Sequence, residues 1–96
     1  MPTVYILYSP SLDRFYTGAT TIDPNERLER HLKDYYENKY TRITKDWEIY
    51  LLIGCGTMRQ SLLIEKHIKN MKSKKFITDL KIYPAIIERL KEKYPD

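Results

Sequence analysis

The chain opens on a β-like pattern. Thr3 to Tyr8 (TVYILY) is β-branched and aromatic, and Arg14 to Gly18 (RFYTG) is a second short run. The residues between them, Ser9-Pro10-Ser11-Leu12-Asp13, form a polar turn, so the two runs read as a β-hairpin. Side chains alternate along a strand. Tyr5 therefore shares one sheet face with Thr3 and Leu7 while Val4, Ile6 and Tyr8 take the other, and one face is expected to be the more polar.

The period then lengthens. Asp23 before Pro24, with Glu26 three residues on, combines an N-cap, a proline at the first helical position and a capping-box carboxylate. This predicts a helix from about Pro24 to Tyr36, with Leu28, Leu32 and Tyr35 as its apolar stripe. Glu37 to Asp46 is polar and aperiodic, a loop. Trp47 to Ile53 (WEIYLLI) supplies a third strand, ended by Gly54-Cys55-Gly56. Thr57 and Gln60 repeat the capping-box spacing and open a second helix, with Ile64, Ile68 and Met71 as its buried stripe and Lys72 to Lys75 as its frayed end. A last helix runs from Pro84 to Tyr94, with Ile86, Ile87 and Leu90 inward and Pro95 as its stop. The order β-β-α-β-α-α implies an α+β fold: a small three-stranded antiparallel sheet flanked by helices.

Length sets the scale, since 96 residues suffice for one modest core and hence a single domain over residues 1–96. No stretch approaches the roughly 18 apolar residues of a membrane span, and no leader is visible. One cysteine, Cys55, forms no intramolecular disulfide, and no cysteine-histidine cluster offers zinc. An intracellular protein, cytoplasmic or nuclear and without a membrane partner, is expected. Lys and Arg outnumber Asp and Glu by 17 to 13, which suits a polyanionic partner without requiring one. The distribution adds more. Lys66, Lys69, Lys72, Lys74 and Lys75 crowd into ten residues and are candidate nucleic-acid contacts.

Several polar residues stand where chemistry is feasible, each with a plainer alternative. Tyr5 and Tyr16 would converge if the hairpin sets them side by side, one taking a proton from water and the other holding a phosphate oxygen. A phenol of pKa about 10 is a weak base at neutral pH and needs a nearby cation. The plainer role is packing. Arg27 and His31 lie four apart, flanking the Leu28–Leu32 stripe; the guanidinium suits a phosphate clamp or a surface ion pair with Glu26 or Glu29. Glu65 flanks the Ile64–Ile68 stripe, suited to a hard divalent ion or to an i,i+4 pair with Lys69.

These residues form a constellation. Thr3-Val4-Tyr5 and Tyr16-Thr17-Gly18, followed in order by Arg27-Leu28 with His31, Tyr40-Thr41, and Glu65 with Ile68-Lys69, resemble the motifs of the GIY-YIG nuclease family. The resemblance covers about residues 3–76 and is closest to compact single-domain members, which are similar to the nuclease domain at the start of the bacterial excision-repair enzyme. Thr3 replaces the glycine and Thr17 the isoleucine of the family name. The resemblance implies a divalent-metal-dependent endonuclease cutting DNA, branched or damaged, with Mg²⁺ or Mn²⁺ on Glu65. Tyr5, Tyr16, Arg27, His31 and Glu65 would be its catalytic residues, and a protein partner would supply targeting. The rival expectation is a non-catalytic nucleic-acid-binding or protein-interaction module on the same scaffold.

Overall fold

The structure, a computed structural model, describes residues 2–23, 25–26 and 46–96. Three strands, β1 (Thr3–Ser9), β2 (Arg14–Thr20) and β3 (Glu48–Gly54), form an antiparallel sheet in the order β2-β1-β3. The expected α+β architecture is present. Asn25 and Glu26 are helical, but the rest of the helix expected over residues 24–36 lies outside the described residues, as does most of the loop before β3.

The hairpin turn is built by side chains. Asp13 adopts the left-handed conformation (φ 50°), which an aspartate tolerates better than most residues. Asp46, just before β3, accepts from the Ser9 hydroxyl at 2.6 Å and from the Ser11 amide at 2.8 Å, so the turn is fixed from across the fold. A bulge between Ile6 and Leu7 shifts the β1–β3 pairing, and Tyr8, Phe15 and Tyr50 meet there as a ring cluster.

Three helices follow: α1 (Met58–Met71), α2 (Lys74–Ile82) and α3 (Pro84–Lys93). Thr57 caps α1 as its spacing foretold, accepting from the Gln60 amide at 3.1 Å. The reciprocal arm differs from a simple capping box, because Gln60 accepts from the Gly56 amide at 2.9 Å and donates to the Tyr94 carbonyl at 3.0 Å. That buried amide ties α3 to the start of α1.

Where one frayed helix end was expected, the chain makes two helices. Lys72 turns left-handed (φ 47°), its amide bonding back to the Lys69 carbonyl, and Ser73 caps α2 by accepting from the Phe76 amide. The lysines disguise this start, while Ile77 and Leu80 supply the inward face of α2. The sharp turn also takes Met71 off the α1 stripe: Gln60, Ser61, Ile64 and Ile68 are buried, and Met71 is exposed.

The core has two parts. Val4, Ile6 and Ile53 face Ile64, Ile68, Ile77, Leu80 and Leu90 from the helices. On the other face Tyr5, Leu7 and Trp47 pack together with Leu12, Tyr16 and Ile49. The expectation of one polar face on β1 is therefore corrected. As the middle strand, it buries residues of both parities. Among the described residues no helix is long and apolar enough to cross a membrane.

Candidate active site

Register places the first two motif residues. Tyr5 stands opposite Gly18 and Tyr16 opposite Leu7, so the tyrosines share a face as diagonal neighbours, with ring centroids 6.4 Å apart and planes tilted by 38°. Their environments differ. Tyr5 is 1% exposed, whereas Tyr16 is half-buried and reaches a cleft beside the sheet. The Tyr5 ring lies across Gly18, where any Cβ would land on the phenol oxygen and Cζ. Gly18 is thus required by close approach, with no positive φ involved. Gly18→Ala is expected to force the ring out and lower Tm by roughly 5–20 °C, the scale of an overpacked core site in a domain this size. Thermal melting by circular dichroism checks this, and an unchanged Tm would refute the close packing.

Helix α1 brings the third motif residue to the same place. Glu65 keeps 18% of its side chain exposed, and Lys69, one turn later, lies with Nζ 3.3 Å from Glu65 Oε2 and 5.9 Å from the Tyr16 ring centroid. One ammonium therefore borders both the carboxylate and the phenol. The fold thus brings Tyr5, Tyr16, Glu65 and Lys69 together. Arg27 and His31 lie outside the described residues, as do Arg30 and Tyr40-Thr41.

The lysine run divides. Lys69, Lys72 and Lys74 line the cleft beside Tyr16. Lys74 also bonds the Asp13 carbonyl at 2.5 Å and carboxylate at 2.9 Å, tying α2 to the hairpin turn. That ammonium, with a bond from the Tyr8 hydroxyl, holds the Asp13 carboxyl below its usual range, and the same Asp13 bond raises the Tyr8 phenol. Lys75 pairs with Asp79 at 2.9 Å, and Lys66 faces a separate groove with Leu63, His67, Asn70, Met71 and Tyr94. Arg14 also lines the cleft, a contact that motif reading passed over. The available signal was parity, because Arg14 is two residues from Tyr16 on one strand.

Could this site hold a divalent ion? No group of three or more His, Cys, Asp or Glu side chains converges among the described residues. A single partly exposed carboxylate fits an ion that keeps most of its waters and takes the rest of its shell from phosphate oxygens, the habit of Mg²⁺. Residues 1–77 match the family model of the GIY-YIG catalytic domain.

The chain belongs to the GIY-YIG family. Domains of this family are nucleases that generally use divalent ions, so the chain is a nuclease and nucleic acid is its substrate. No curated protein and no solved structure matches it significantly. The GIY-YIG match ends at residue 77, yet the structure continues to hold the matched part from beyond it. Besides the Gln60–Tyr94 bond, His67 Nδ1 lies 3.0 Å from the Tyr94 hydroxyl, and the His67 ring packs edge-on to Tyr94.

Burial and then Lys93 hold the His67 imidazole below its ordinary value of about 6.5. Because the unfolded chain takes up this proton first, the contribution is complete above about pH 6.5 and declines as pH falls toward the lower folded value. Acidification from pH 7 to 5 should lower the wild-type Tm more than that of His67→Gln. Parallel shifts in the two proteins would refute the assignment.

Proposed function

We propose that this chain is a divalent-metal-dependent endonuclease that hydrolyses DNA phosphodiester bonds. The observation that carries the reading is that Lys69 joins Glu65 to Tyr16 at the edge of a cleft lined by Lys69 and Tyr16, with the Tyr5 ring beside Tyr16.

Glu65 is the carboxylate that would hold Mg²⁺ or Mn²⁺. When bound there, such an ion supplies positive charge to the phosphate oxygens and to the leaving group. Tyr16, the more accessible phenol, removes a proton from the attacking water. The buried Tyr5 orients Tyr16 and the phosphate side of the site by packing. Lys69 serves as counter-charge to Glu65 and places an ammonium beside the Tyr16 ring, where it can meet a phosphate oxygen. Arg27 stabilises the pentacoordinate transition state and His31 assists proton movement, roles that rest on the sequence motif. Lys66, Lys69, Lys72, Lys74 and Lys75 contribute phosphate contacts, which position DNA without reading its sequence.

Supercoiled plasmid and a branched oligonucleotide duplex, incubated with Mg²⁺, Mn²⁺ or EDTA, test this reading. Nicking with either ion and none with EDTA is expected. DNA binding without strand cleavage under every condition would instead establish the binding module.

A further inference from the structure

The cleft beside Tyr16 has room for more than a phosphate. It has a volume of about 660 Å³, within the roughly 300–1,000 Å³ typical of small-ligand sites. The β2 residues Arg14, Phe15, Tyr16 and Thr17 form one wall, and the α1–α2 junction forms the other. Its apolar surface comes from Phe15, Ile68 and Ile77, and its charged rim from Arg14, Lys69, Lys72 and Lys74. All four rim charges are positive. Lys69 and Lys74 have acidic neighbours, but Arg14 and Lys72 have no ion pair within 4.0 Å among the described residues. Phe15 also packs in the ring cluster with Tyr8 and Tyr50, with ring centroids 4.8 and 5.0 Å away, and lines the cleft wall.

Lys72 adds an independent sign. It occupies the left-handed position that ends α1, where glycine is the usual and less strained residue. A lysine there costs stability and places a cation on the cleft rim.

We propose that this cleft captures one unpaired nucleotide flanking the scissile phosphate, its base against Phe15 and its phosphate between Arg14 and Lys72. A flat apolar body bearing an anion matches the chemistry of this lining, whereas a continuous duplex keeps its base faces stacked inside and offers only phosphates, sugars and groove edges. The inference rests on the nuclease reading and deepens it: the substrate contains an unpaired nucleotide.

The test uses the full chain in EDTA, with a fluorescent duplex, the same duplex carrying one bulged nucleotide, and a version with 2-aminopurine at the bulge. Stacking of one base predicts roughly tenfold or greater preference for the bulge, together with 2-aminopurine quenching. Phe15→Leu and Arg14→Ser should reduce the preference to within about twofold, and Arg89→Ser on α3 should leave it intact. Lys72→Gly should also lose the preference while gaining roughly 2–6 °C in Tm, a pairing that simple damage to the fold does not produce. Equal affinity for bulged and continuous duplexes would overturn the proposal, as would a preference that survives all three cleft variants. If the protein still cuts DNA with Mg²⁺ in those cases, the nuclease reading stands alone. A protein that neither binds nor cuts refutes both.

Discussion

Glu65→Gln is expected to reduce cleavage at least about 1,000-fold while leaving the fold intact. The amide keeps the shape of the carboxylate but loses the charge that a hard divalent ion requires. Stability should scarcely change, because the visible partner of Glu65 is Lys69, itself half-exposed, and such pairs contribute at most about 1 kcal/mol. Isothermal titration with Mn²⁺ separates the possible causes of inactivity. The variant should melt within about 2–4 °C of wild type yet show no heat of ion binding. A folded variant that binds Mn²⁺ with undiminished affinity would place the metal elsewhere and leave Glu65 a partner of Lys69.

That prediction needed only the sequence to name its residue, and this was true of much of the site. Tyr5, Tyr16 and Gly18 could be placed because strand alternation and a short turn fix which residues share a face. Thr57 announced α1 through its capping spacing. The diagonal relation of the tyrosines was less accessible, because register depends on turn length, and Ser9 proves to be the last paired residue of β1. Helix α2 was hidden because Ser73 caps it without a carboxylate or amide three residues later, inside a run of lysines that reads as solvated surface. Asp46, Gln60 and His67 were missed as tertiary anchors for a different reason. Each bonds a residue 27 or more positions away, and no local period encodes such a contact.

Arg27→Ala is expected to lower the single-turnover rate by roughly 100-fold or more, about 3 kcal/mol, with a much smaller change in DNA affinity. Direction separates Arg27 from Arg30. On the helix expected over residues 24–36, Arg27 and His31 flank the Leu28–Leu32 stripe, whereas Arg30 points away from it. Arg30 thus supplies the same charge in the wrong place, and Arg30→Ala should retain most of the rate. A guanidinium that stabilises charge present only in the transition state affects the rate at saturating enzyme. One that merely holds substrate affects binding and spares that rate. Equal, small losses in the two variants would reduce Arg27 to a surface cation, and near wild-type cleavage by folded Arg27→Ala would remove it from the mechanism.

The bond from Gln60 to the Tyr94 carbonyl has a consequence for the order in which the protein assembles. All the motif residues, from Tyr5 to Glu65, leave the ribosome before residue 94 does. Until then Gln60 lacks its distant acceptor, His67 lacks the Tyr94 hydroxyl, and Leu90 is missing from the core beside Ile64 and Ile68. The hairpin and α1 can form early from local contacts, but the later-made α3 segment closes the structure around the glutamate helix. A nascent chain stalled before α3 would therefore carry every motif residue without the finished core.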